Sequence, residues 1–231
     1  MLFSVIRSLI NGQHVDIWSV AAHVLSILFV IFCILPLHEF AHGWVANKLG
    51  DPTAKWEGRL TLNPLASLDN FGALALLLFG FGWAKPVPVN SRYFKNPRRD
   101  VALTAAAGPI SNLLAALAGA VIAVAMQAFA PYNGVTQFIF NVVYYYVVVN
   151  ITLAVFNLLP VPPLDGSRIV SAFLSQRALM IYYRYQNMFV MLMFMLMFTG
   201  ALSGPLYTAE NFLANIIFAI ARFPFRIFGA L

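Results

Sequence analysis

His38, Glu39 and His42 stand together in ILPLHEFAHGW, residues 34–44. On a helix, positions 38 and 42 share one face about 6 Å apart along the axis. Two imidazoles so placed can chelate one Zn²⁺, and a carboxylate beside them can take a proton from a water that the ion has acidified. Glu39 could then return that proton to a leaving amine. H-E-x-x-H is short enough to arise by chance, so context decides. Here the three polar residues interrupt a strongly apolar run, where each is costly to place in lipid and so calls for a function. Histidines merely hydrogen-bonded within a helical bundle are the weaker reading. His14 and His23 lack this context and are read as a loop residue and a packed or capping residue.

The helix carrying the pair must lie in a membrane. Of the 231 residues, 61% are hydrophobic and 10% charged, and mean hydropathy is +0.80. Soluble domains carry about 25% charged residues. The composition predicts an all-α polytopic membrane protein. The single cysteine, Cys33, excludes an intrachain disulfide or cysteine-rich metal site and is expected to be buried. The net charge of +6 is read as a topology signal rather than as a nucleic-acid surface. The N-terminal stretch has no small-residue cleavage site after its short apolar run, and residues 1–10 are expected at the interface.

Residues 17–40, 101–130, 137–159, 185–202 and 205–222 are each apolar over about the length a span requires. Residues 71–82, FGALALLLFGFG, reach only about 18 Å as a helix and predict a re-entrant segment. The expectation is therefore about five to six transmembrane segments in a single domain, 1–231, with a core over about 20–180 and C-terminal helices over 181–231. Thirteen of the 14 Lys and Arg follow the first span (Lys48, Lys55, Arg59), the short segment (Lys85, Arg92, Lys95, Arg98, Arg99), the third full span (Arg168, Arg177, Arg184) or the last (Arg222, Arg226). If residues 71–82 enter and leave on one side, every basic loop is cytoplasmic. The histidine pair then opens toward the cytoplasm.

A catalytic zinc site takes three protein ligands and leaves a position for water. Asp16 and Glu210 fall on the outer side, Asp51 and Glu57 lie among basic residues, Asp100 suits a helix cap, and Asp69 starts the short segment. Asp165 remains, in NLLPVPPLDGSRIV, residues 157–170, at the cytoplasmic end of the third full span. Pro160, Pro162 and Pro163 break the helix there, and unwound backbone at membrane depth is tolerated where it lines a cavity or is buried in protein. Asp165 is thus the expected third ligand.

Together the two stretches resemble the site-2 protease family of intramembrane zinc metalloproteases, whose signatures are H-E-x-x-H on one membrane helix and N-x-x-P-x-P-x-L-D-G on another. Asn157, Pro160, Pro162, Leu164, Asp165 and Gly166 stand at the matching positions. GRLTLNPL (58–65), GWAKPVPVN (82–90) and AAAGPISN (105–112) also look like family segments. The resemblance implies one zinc per chain held by His38, His42 and Asp165, with Glu39 catalytic. It implies that Asn157 and Asn112 lie where an amide could hold substrate backbone or a developing oxyanion, a helix–helix hydrogen bond being the alternative for either. Ser67 and Asn70 depart from the His and Pro that many relatives carry there. With no room in these 231 residues for a PDZ domain or CBS pair, the expected type is the minimal one found among prokaryotes.

The implied activity is hydrolysis of peptide bonds in or near transmembrane segments of membrane proteins. The implied setting is a cell membrane, with the lipid bilayer and transmembrane substrates as partners, no nucleic acid, and oligomeric state open. A catalytically inactive membrane-binding module and an ion or solute transporter are the alternatives. Retention of Glu39 argues against the first, and lack of an internal repeat against the second. Residues 53–63, TAKWEGRLTLN, are expected to form a short membrane-associated β-hairpin whose edge receives substrate. The basic loop 85–99 is an anionic-lipid contact.

Overall fold

The computed structural model describes residues 28–79, 84–227 and 229. These fall into two compact units that divide between Lys95 and Asn96.

The first unit is organised around the helix α1 (Leu35–Lys48), entered through a π-helical turn, Val30–Ile34. Pro36 explains the turn. It has no N–H to give the preceding turn, and the Leu35 N–H reaches back five residues to the Val30 carbonyl. His38, His42 and Ala46 recur every four residues on the buried face of α1, with Pro36 and Gly43. A Cβ on Gly43 would sit 3.2 Å from Val87, 3.3 Å from Ala54 and 3.4 Å from Leu60, so this glycine lets two later segments lie against the helix. At the end of α1 Gly50 takes a φ of 110°, the left-handed region that favours glycine. Three short helices follow: α2 (Thr53–Trp56), α3 (Pro64–Ser67) and α4 (Asn70–Phe79). Residues 84–90 form no helix or strand, in keeping with Pro86 and Pro88, which disfavour helix in the residues before them.

In the second unit α5 (Pro97–Phe129) and α6 (Gly134–Asn157) are each long and apolar enough to cross a membrane. A capping box between Asn133 and Thr136 starts α6. After the broken stretch 158–164 come α7 (Asp165–Ser171), α8 (Gln176–Arg184), α9 (Gln186–Phe198) and α10 (Ser203–Ile227). The core joins Ala116, Ala120 and Val124 of α5, Val147, Ile151 and Val155 of α6, and Ile217 and Ala221 of α10. Small residues on α5 allow the close approach that stands in for a hydrophobic driving force in lipid. At Gly119 an added Cβ would lie 2.9 Å from both Tyr146 and Val147.

Several expectations change. Residues 53–63 do not form the hairpin: Thr53–Trp56 is a helical turn, followed by turns, and no strand occurs among the described residues. Asp51 drives this, since its Oδ1 accepts the Thr53 N–H at 3.0 Å and starts a turn where extension was expected. Cys33 is exposed, not buried. The described residues hold two spanning-length helices, with α9 and α10 passing only together, across an 86° bend. Residues 17–27 of the first expected span, His14 and His23 lie outside the described residues. The described part of α4 has ten residues, about 15 Å, and residues 80–82 of the expected re-entrant segment lie outside the described residues.

Substituting Gly119→Leu is expected to destabilise the second unit by about 1–3 kcal/mol through overpacking. Thermal unfolding of the detergent-solubilised chain would register this as a lower midpoint.

Candidate metal centre

Within the first unit, α1 carries both histidines inward, His38 6% and His42 9% exposed. Their Nε2 atoms lie 3.1 Å apart with the rings nearly perpendicular, at 85°. Tetrahedral zinc with Zn–N bonds of about 2.0–2.1 Å places two ligand nitrogens about 3.3 Å apart. The pair therefore converges as a zinc chelate requires, and the residues fit the ion.

Glu39, one residue on, points to a different neighbour. Its Oε2 accepts the Val87 N–H at 2.9 Å. The segment that supplies this donor is fastened at several points. The Lys85 N–H donates to the Ser67 carbonyl at 2.9 Å. Arg59 donates to the Lys85 carbonyl at 2.7 Å, and the Asn90 N–H donates to Asp51 Oδ2 at 2.6 Å. Asp51 is fully buried and serves as a tie for the backbone, rather than as a partner of the basic residues around it. The Lys85 and Val87 N–H groups are thus both held by the protein, and Pro86 and Pro88 have no N–H to give. None of these ties was foreseen. The segment pairs with Glu39 across 48 positions, and backbone donors leave no mark in a sequence.

In the second unit Asp165 is the first residue of α7, where a carboxylate suits the positive end of a helix. The preceding stretch is tightly folded: Val161 N–H donates to the Leu159 carbonyl at 2.8 Å and Leu164 N–H to the Val161 carbonyl at 2.9 Å. A Cβ on Gly166 would lie 2.2 Å from the Leu158 oxygen and 2.4 Å from the Leu159 oxygen. Only glycine admits that approach, which gives the Asp-Gly pair its physical reason. Ser167 Oγ donates to the Leu164 carbonyl at 2.6 Å, and Tyr182 on α8 donates to the Pro160 carbonyl at 2.9 Å. Burial raises the Tyr182 phenol above the usual tyrosine range, outweighing the lowering effect of Ser167, so it stays a donor.

The two asparagines differ. Asn157 closes α6 and is half-buried, its Nδ2 donating to the Leu153 carbonyl at 2.9 Å. Asn112 is fully buried on α5, and its amide makes no hydrogen bond among the described residues. Asn150, which sequence reasoning passed over, is also fully buried, with Nδ2 donating to the Tyr146 carbonyl at 2.9 Å. Its signal was available: it lies seven residues before Asn157, two turns along one face of α6.

The family described as peptidase family M50 matches residues 131–200. This bears out the resemblance read from the motifs. The matched region contains Asp165 and Asn157, and the histidine pair lies before it. A protein of Bacillus subtilis named "Putative zinc metalloprotease YwhC" is 49% identical over 140 residues, 58% of this chain and 62% of that protein. One of Mycobacterium tuberculosis named "Putative zinc metalloprotease Rip2" is 32% identical over 170 residues, 70% of this chain and 63% of that protein. A Rip2 of Mycolicibacterium smegmatis is 30% identical over 137 residues, 57% of this chain and 51% of that protein. The chain thus spans about three-fifths or less of the length of these relatives. No solved structure matches.

Replacing Gly166 with Ala forces a carbon into the Leu158 carbonyl. The variant is expected to lose about 2–3 kcal/mol of stability, seen as a lowered unfolding midpoint.

Proposed function

We propose that the chain is an intramembrane zinc endopeptidase that cleaves peptide bonds in or near transmembrane segments of other membrane proteins. In this reading His38, His42 and Asp165 hold one Zn²⁺, the ligand set that the resemblance implies. The observation that carries the reading is the pair of buried imidazoles converging at 3.1 Å beside a carboxylate. The relatives' names support the zinc, and the spanning-length helices support the membrane.

When bound, zinc would acidify a water and polarise the scissile carbonyl. The rest falls to the protein. Glu39 takes the proton from the attacking water and delivers it to the leaving amine. The Val87 N–H holds one carboxylate oxygen, leaving the other for proton transfer. A substrate helix must unwind to expose its carbonyl, so helix-breaking residues near the cut favour cleavage. Asn112 and Asn157 are assigned to substrate backbone or the oxyanion. A buried amide without a partner costs about 1–3 kcal/mol, a cost that a ligand contact would offset. We further assign five to six membrane segments, with residues 71–82 re-entrant and the site opening to the cytoplasm.

The deciding comparison is the parent chain against Glu39→Gln, with bound zinc and cleavage of a model transmembrane substrate both measured. Zinc is expected in both, with cleavage about 10²–10⁴-fold slower in the variant. A parent without zinc, or cleavage unaffected by the substitution, overturns the reading. Zinc without cleavage in either chain points to the inactive module. A separate outcome is expected for Asn112→Leu: the unfolding midpoint is unchanged or higher, while cleavage falls at least about tenfold.

A further inference from the structure

The helix α8 follows the Asp165 turn closely and has two unlike faces. Ala178, Leu179 and Tyr182 are half-buried and face the protein, and Tyr182 makes the bond to the Pro160 carbonyl. Arg177, Met180 and Arg184, spaced i, i+3 and i+7, share the opposite face. All three are exposed, and so are Ile181 and Tyr183 at its margins. Met180 is 65% and Ile181 56% exposed. Phe173, just before the helix, is 84% exposed.

This face suits neither bulk water nor hydrocarbon. Guanidinium groups beside Met, Ile and Tyr match the headgroup layer, where long side chains bury their stems and keep their charges wet. The charge is one-sided: from Gly166 to Ala209 the chain has Arg168, Arg177 and Arg184 and no Asp or Glu. Neither Arg177 nor Arg184 is ion-paired among the described residues. Ser175 accepts the Ala178 N–H and caps the helix, so the face is held in shape.

We propose that the Arg177–Met180–Arg184 face of α8 binds anionic phospholipid headgroups, and that the Tyr182–Pro160 bond carries this contact to the turn bearing Asp165. The first half stands on the face alone. The second rests on the reading of Asp165 as a zinc ligand. Lipid engagement would hold α8 in place and, through Tyr182, steady the loop between α6 and α7. A bilayer of the right charge would then be a condition for a firmly held metal.

The test uses the full chain reconstituted into nanodiscs of phosphatidylcholine alone or with about one-third phosphatidylglycerol. Native mass spectrometry counts retained lipids, and a chelator reads the rate of zinc loss. The parent is expected to prefer phosphatidylglycerol, and Arg177→Gln/Arg184→Gln to lower that preference by about an order of magnitude. An undiminished preference in the double variant overturns the lipid site. Phosphatidylglycerol is expected to slow zinc loss several-fold in the parent. It should not do so in Tyr182→Phe, which still retains the lipid. Equal slowing in both overturns the coupling. A parent that holds no zinc in either lipid overturns the coupling together with the proposed function, and the lipid counts still decide the first half.

Discussion

Two imidazoles held 3.1 Å apart in an apolar surrounding set the terms for the rest of the first unit. Buried polar groups at such a place must be oriented, and the atoms that orient them must come from elsewhere in the chain. The helix supplies the spacing at no cost, because 38 and 42 fall on successive turns. The base beside them needs more. Glu39 is reached by a backbone donor from a segment that is tied down in turn by Ser67, Arg59 and Asp51. Gly43 makes room for that segment. The geometry around two histidines thus explains a glycine, a buried aspartate and a pair of prolines.

The second unit solves a related problem by different means. Asp165 lies at a helix start that exists because prolines ended the previous helix, and the chain doubles back so tightly that a glycine must follow. Here the precision comes from backbone contact rather than from side-chain ties. Substitutions should accordingly be tolerated very differently on the two sides: polar exchange is disruptive around Glu39, while added bulk is disruptive after Asp165.

What could be read beforehand follows the range of the interactions involved. The histidine pair, the broken helix at 158–164 and the two long helices depend on residues within a few turns of one another, and spacing revealed them. The hairpin expected at 53–63 failed because alternation was weighed above one side chain, Asp51, whose carboxylate starts a turn. The Val87 donor was hidden because it belongs to the backbone. Asn150 stands outside both motifs, so only its spacing from Asn157 along α6 marks it. Cys33 departs from expectation because a single small apolar side chain needs no burial on a helix surface.

The π-helical turn ahead of α1 bears on how sequences of this kind are compared. Closing a turn over five residues rather than four is equivalent to inserting one residue into an otherwise regular helix. Everything after Ile34 is therefore rotated relative to what precedes it. A helical wheel drawn without interruption from residue 28 to residue 48 would aim the histidines away from the face they occupy. An alignment of helices that permits no gap near Pro36 would carry the same error. Phase along this helix is counted from the proline onward.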